Sequence, residues 1–153
     1  MSKNTLSFVN QIYKSFKTLR CNIFLMGGWA EELQGLIKPR KHKDIDFVYR
    51  GENFFDLEEW AKTNNLQEIK GKHFMHKRAY SINNILIEFT LARRNMTKFF
   101  GKYLFRWPDD TFCSKYNKKL RDMNMVSLTA LIKLRSTHKS HSYTRAIQER
   151  IMI

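Results

Sequence analysis

The sequence predicts an α/β (α+β) domain over residues 1–153, and three observations carry that expectation. The chain holds 153 residues, 42% of them hydrophobic and 14% aromatic, with only 6 Gly and 2 Pro. This is the composition of one packed globule, not of a linker or a disordered tail. A one-faced helical pattern opens the chain, and short apolar β-type runs then alternate with further helical stretches.

Leu6, Val9, Ile12, Tyr13, Phe16 and Leu19 recur at intervals of three and four, which places a helix over residues 6–19. The apolar run 22–26, Asn-Ile-Phe-Leu-Met, ends at Gly27-Gly28 and is expected to be a buried strand stopping at a tight turn. Trp29, Leu33 and Leu36 or Ile37 restart the helical period as far as Pro39. Beyond the basic stretch 38–43, the segment 44–49 (Asp-Ile-Asp-Phe-Val-Tyr) is rich in β-formers and is predicted to be a strand. Asn53 is placed to cap a helix running through Trp60 to about Thr63, with Asp56, Glu58 and Glu59 in its early turns. Two strands, 74–82 and 85–91, are joined through Asn83-Asn84, a pair that tolerates the positive φ of a hairpin turn. Residues 96–117 are aromatic and basic and receive no assignment. Ser127 can cap a helix through Leu134, and 143–153 also has a helical pattern.

The chain carries 28 Lys+Arg against 14 Asp+Glu, a net charge of +14. The excess is uneven: residues 1–92 hold 14 basic and 10 acidic side chains, residues 93–153 hold 14 and 4. Such a field concentrates anions such as nucleotide phosphates or nucleic acid, although a solvated lysine-rich surface has the same composition. Cys21 and Cys113 lie far apart without a CxxC spacing, so both are read as free thiols. No stretch approaches the roughly 18 apolar residues of a membrane span, and the N-terminus lacks a signal-peptide run. The expectation is a cytoplasmic protein without a membrane partner.

Three features carry chemistry. Asp44 and Asp46, two apart on a strand, project from one face about 6.6 Å apart along it, and two such anions repel unless a cation lies between them. A hard divalent ion, Mg²⁺ foremost, suits oxygen ligands of this kind. Gly27-Gly28, between a strand and a helix, leaves bare backbone N–H groups able to face a phosphate. Glu88 lies within the apolar run 85–91, where a carboxylate is costly to bury without a partner.

Gly27-Gly-Trp-Ala-Glu-Glu-Leu33 followed by Pro39-Arg-Lys-His-Lys-Asp-Ile-Asp-Phe47 resembles the Gly-Gly-Trp-Ala…Arg-x-His-x-Asp-Ile-Asp pattern of small antibiotic nucleotidyltransferases. These are the aminoglycoside 2''-nucleotidyltransferase and lincosamide nucleotidyltransferase group of the DNA polymerase β-like superfamily. The resemblance covers 27–47 closely and the order of elements over about 1–135. It implies a nucleotidyltransferase fold: a mixed central sheet of four to five strands flanked by helices, with a catalytic core over 1–123 and a short helical C-terminal extension over 124–153. It also implies Mg²⁺-dependent transfer, with two ions, of a nucleoside monophosphate from an NTP such as ATP to a hydroxyl, pyrophosphate leaving. Asp44, Asp46 and Glu88 would be the catalytic and metal-binding acids, Glu88 as second-metal ligand or as base. Gly27 and Gly28 would hold the triphosphate, with Arg40 and His42 at family positions beside it.

The acceptor implied is a small hydroxyl compound, antibiotics of lincosamide or aminoglycoside type being the family's examples. A net charge of +14 makes the chain a poor host for polycationic aminoglycosides and a better one for less cationic acceptors. Two alternatives follow from that charge: an RNA-directed nucleotidyltransferase or toxin acting on tRNA, and a catalytically silent nucleotide- or RNA-binding module. Lys98, Lys102 and Arg106, interleaved with Phe99, Phe100, Tyr103 and Phe105, fit either a stacking surface for nucleic acid or an amphipathic segment over the core. Zinc is not expected: His73 and His76, three apart on a strand, point to opposite faces, and His138/His141 lacks two further ligands. Glu32 is expected to favour its helix start, and Trp29 to pack. The short C-terminal part leaves the acceptor side open or completed by a partner subunit.

Overall fold

The structure is a computed structural model that describes residues 3–95, 98–101, 105–113, 117–120 and 123–139. In chain order the elements are α1 (Leu6–Ser15), β1 (Ile23–Met26), α2 (Gly27–Leu33), β2 (Asp44–Arg50), α3 (Phe55–Thr63), β3 (Gln67–Glu68), β4 (Lys77–Ile82), β5 (Ile85–Asn95), β6 (Lys98–Phe100), β7 (Asn117–Leu120), β8 (Met123–Ser127) and α4 (Leu128–Lys139). They build one mixed sheet of order β3-β4-β5-β2-β1-β8-β7, with β6 paired to β5. The four strands β4, β5, β2 and β1 that the sequence predicts form its centre, and β8, which the sequence does not predict, adds a fifth beside β1. Short β3, β6 and β7 extend it. Parallel pairing joins β2 to β5 and β1 to β8; the other pairs are antiparallel.

Alternation along β2 assigns the two faces of the sheet. Ile45, Phe47 and Tyr49 are buried. Phe47 stacks on Phe89 of β5 at 5.6 Å, and Phe16 meets the edges of Phe47, Phe89 and Trp60 at 5.2, 5.7 and 4.8 Å. Helices α1 and α3 therefore cover this face, α1 through Val9, Ile12 and Tyr13, α3 through Leu57 and Ala61. The opposite face carries Asp44, Asp46 and Val48. There Phe24 meets Phe112 at 4.8 Å, and Phe112 in turn meets Phe99 and Trp107 at 5.2 and 6.2 Å.

Several boundaries differ from the sequence expectation, each for a local reason. The first helix stops at Ser15, because Lys17 turns into the left-handed region (φ 53) and a 3₁₀ stretch, Lys17–Asn22, swings the chain into β1. The second ends at Leu33, where Gly35 (φ 79) closes a Schellman motif: Leu36 N–H donates to Glu31 and Gly35 N–H to Glu32. Strand β4 starts at Lys77 because residues 74–77 form a tight turn with Phe74 and Lys77 bonded to each other through both backbone groups. Helices were expected from residue 124; instead Met123–Ser127 is a sheet strand, with Met123, Met125 and Val126 buried beside β1. The apolar alternation there is satisfied by the sheet, and the helix begins one residue past Ser127, whose hydroxyl accepts from Ala130 N–H at 3.1 Å.

Asn83 and Asn84 take positive φ (51 and 65), as the hairpin requires. Asn53 accepts from Phe55 N–H at 2.9 Å at the start of α3. Both cysteines are free and exposed. Among the described residues no helix is long and apolar enough to cross a membrane. Lys102, Tyr103, His141 and the expected helix over 143–153 lie outside the described residues.

Candidate active site

Strand register brings the acids together. Met26 of β1 pairs with Asp46 of β2, which pairs with Glu88 of β5, so the three side chains form one row across adjacent strands. Asp44 lies two residues along the same face. One carboxylate oxygen from each of Asp44, Asp46 and Glu88 lies within 4.8 Å of the others, and all three residues are half-buried. Glu88 thus reaches the aspartates despite its longer side chain. Three carboxylates so spaced can hold a hard divalent cation.

The electrostatics match that geometry. Burial first, then the charges of Asp44 and Glu88, push the Asp46 carboxyl up to about 8; Lys77 opposes them, and a hydrogen bond with Glu88 adds to the rise. Glu88 goes the other way. Burial would raise it, but Lys72 Nζ at 2.9 Å from Oε1 and Lys77 Nζ at 3.0 Å from Oε2 hold it below the ordinary range. The bond to Glu88 in turn raises the Lys72 ammonium. Neither lysine was singled out from the sequence. The available signal was a basic residue flanking the turn that leads into β4, next to the strand carrying Glu88.

The glycine pair is explained by close approach. Gly27 has φ 67, and a Cβ there would fall on the Asp46 carboxylate, 2.9 Å from its Cβ and 3.0 Å from its Cγ. A Cβ on Gly28 would lie 2.8 Å from His42 Nδ1 and 3.2 Å from Arg40 Nη2. The two glycines therefore let the start of α2 sit directly against Asp46 on one side and the basic loop on the other.

That loop is anchored rather than loose. Glu32 accepts from Arg40 N–H at 2.8 Å and meets His42 Nε2 at 3.0 Å. Burial would raise the Glu32 carboxyl, yet these bonds and the His42 and Arg40 charges bring it below its usual value. His42 is buried and lies 4.3 Å from the Trp29 ring. Trp29 donates to Asn4 Oδ1 at 3.0 Å, and Asn4 Nδ2 donates to the carbonyls of His42 (3.1 Å) and Asp44 (2.9 Å). Trp29 packs, as expected. Glu32 does not serve a helix start, since it stands in the last turn of α2, whose first turn holds no acid; it fastens the loop that delivers Asp44. Asn4 had no sequence signal, because its contacts span about 40 residues.

The sequence-expected site residues Gly27, Gly28, Arg40, His42, Asp44, Asp46 and Glu88 thus gather around one end of the central strands. The aromatic segment beyond β5 turns inward: Phe99, Phe105 and Phe112 pack on the core and Trp107 is 2% exposed. His73 pairs with Glu68 at 2.6 Å, and among the described residues only the acidic trio forms a cluster suited to a metal.

The chain shares the fold of solved nucleotidyltransferase structures. The solved structures that share its fold include ANT(2'')-Ia in complex with adenylyl-2''-tobramycin: TM-score 0.65, 15% identity, covering 89% of this chain and 76% of that one. The lincosamide antibiotic adenylyltransferase LnuA, lincomycin-bound, matches with TM-score 0.68 and 14% identity over 86% of this chain and 85% of that one. A candidate nucleotidyltransferase from Thermotoga maritima matches with TM-score 0.58 and 19% identity over 94% and 92%. No protein-family model and no curated protein matches the sequence.

Proposed function

We propose that this protein is a Mg²⁺-dependent nucleotidyltransferase that moves a nucleoside monophosphate from an NTP such as ATP to a hydroxyl of a small-molecule acceptor. The observation that carries the reading is the convergence of Asp44, Asp46 and Glu88 within 4.8 Å, with Gly27 against Asp46. The residues fit a divalent cation. Burial first, then the charges of Asp44 and Glu88, lift Asp46 to about 8, and a cation between the three offsets that cost. Bound there, magnesium would neutralise charge on the triphosphate and on the attacking and leaving oxygens.

The chain's own residues supply the rest. Gly27 and Gly28 offer backbone N–H groups and Arg40 a guanidinium beside them for the triphosphate, while His42 and Glu32 hold that loop in place. In the transfer, the acceptor oxygen forms a bond to the α-phosphorus. The bond from that phosphorus to the bridging oxygen breaks, and pyrophosphate leaves with the electron pair. The hydroxyl proton passes to a carboxylate oxygen of the Asp44, Asp46 and Glu88 trio. Phosphoryl chemistry of this kind is mostly positioning and charge neutralisation.

The convergence of three carboxylates within 4.8 Å supports this reading over a silent binding module. The inward packing of Phe99, Phe105, Trp107 and Phe112 supports a small acceptor over RNA, which needs rings free to stack on bases. The test is incubation with α-labelled ATP, Mg²⁺ and a panel of hydroxyl compounds plus total tRNA, with mass detection of adducts. Labelled small-molecule product that disappears in Asp44→Asn and Asp46→Asn is expected. Label on tRNA alone, or undiminished transfer by both variants, would refute the proposal.

A further inference from the structure

A cleft of about 280 Å³ opens on the acidic face of the sheet. Asp46, Glu88 and Lys77 border it at one end, and Met26, Phe105, Trp107 and Leu134 are among its walls. Its far side is built by the hairpin that follows β5: Gly101 N–H donates to the Phe105 carbonyl at 2.7 Å and Trp107 N–H to the Phe99 carbonyl at 2.9 Å. The Phe105 and Trp107 rings meet edge to face at 5.1 Å, and Lys133 of α4 lies over the Phe105 ring.

Two features of this cleft narrow what it can bind. The Trp107 indole N–H is buried and has no hydrogen-bond partner among the described residues. Native structures rarely leave such a donor unmet. Gly101 keeps its edge clear, since a Cβ there would come within 3.2 Å of Nε1. The second feature is charge. Of the two acids in the lining, Glu88 has both oxygens met by lysines, and Asp46 belongs to the metal cluster. Among the described lining residues no carboxylate is left over to pair an ammonium group, and Lys77 is itself taken up by Glu88.

We infer that this cleft is the acceptor site and takes a compact, neutral or anionic hydroxyl compound with an apolar face, held through an oxygen by the Trp107 indole N–H. The inference rests on the transfer reaction proposed above and names its substrate class. The acceptor lies with its apolar face against Phe105 and Leu134 and its hydroxyl toward Asp46 and Glu88. A polycation is rejected because it would be desolvated against the apolar walls with no uncommitted anion to receive it.

The test uses the full chain and three compact probes of differing charge: phenoxyethanol, mandelate and deoxystreptamine. Calorimetry with ATP and Mg²⁺ comes first. No nucleotide binding there overturns the transfer reading itself and the inference with it. Given nucleotide binding, label transfer to phenoxyethanol or mandelate at least tenfold more efficient than to deoxystreptamine is expected. Preference for deoxystreptamine, or transfer to none of the three, overturns the acceptor assignment and leaves nucleotide binding standing. Trp107→Phe keeps the ring and removes the donor. It should raise the acceptor KM about tenfold, with the ATP KM and the kcat unchanged, and abolish quenching of tryptophan fluorescence by the preferred probe. Gly101→Ala, which leaves the indole intact and crowds its N–H, should shift the acceptor KM the same way. If both variants bind the probe as the parent does, Trp107 is not the acceptor's donor.

Discussion

The two faces of β2 are built by alternate residues of one seven-residue strand and do opposite things. Ile45, Phe47 and Tyr49 enter a dry layer of rings with Phe16, Trp60 and Phe89 under α1 and α3. Asp44 and Asp46, one step out of phase, enter a half-buried pocket where like charges are forced together. The first face stabilises the fold by apolar burial. The second stores electrostatic repulsion that a cation can relieve. The comparison teaches that the strand's period of two holds carboxylates close without exposing the core to them.

The largest expected effect separates the faces most sharply. Asp44→Asn or Asp46→Asn should lower nucleotidyl transfer by about a thousandfold or more, because the cluster loses a ligand. Asp46→Asn should also raise the thermal midpoint by about 2–4 °C at pH 8, since a repelled anion is removed. Phe47→Ala, on the other face of the same strand, should cost about 3–5 kcal/mol in a denaturant melt. A stable Phe47→Ala protein would mean that the ring layer is not what holds the sheet.

A smaller effect is set by the proton on Asp46. Its carboxyl lies at about 8 against an ordinary 3.8. The folded chain therefore keeps a proton that the unfolded chain has released, and the metal-free protein should lose stability as pH rises from about 4 to about 8. Binding of a divalent ion must expel that proton. Affinity measured by calorimetry should climb up to tenfold per pH unit and level off above about pH 8, with about one proton released. A flat profile would mean that Asp46 is already ionised.

Gly27→Ala should cost about 1–2 kcal/mol for its left-handed backbone, and should impair transfer out of proportion to that loss, because the new methyl falls on the Asp46 carboxylate. The smallest effect lies far from the acids. Ser127 accepts from Ala130 N–H and donates to Asp110 Oδ1 at 3.0 Å, so Ser127→Ala should cost about 1 kcal/mol in thermal melts and leave the ATP KM unchanged.

Local chemistry made much of this legible from residues alone. The Asn83-Asn84 turn, the Ser127 cap, the strand stopping at Gly27-Gly28 and the paired aspartates each depend on neighbours within a few positions. Strand β8 was not legible, because Met123–Ser127 becomes a strand only by pairing with β1, about 100 residues earlier. Residues 96–117 resisted assignment because rings and cations together suit a surface or a core equally well, and only the packing of Phe112 on Phe24 decides between them for the part described.

By itself the sequence determined which residue types were available for chemistry and which local turns deliver them: carboxylates two apart on a strand, glycines before a helix, a glutamate in an apolar run. These are properties of short segments, where backbone sterics and side-chain period act without distant partners. Tertiary structure alone decided that Asp46 lies opposite Glu88, that Lys72 and Lys77 close on both oxygens of that glutamate, and that Trp107 lines the same cleft. Those arrangements come from strand register and sheet order, which are set by burying the ring layer on the far face. No window of sequence contains the contacts that establish them.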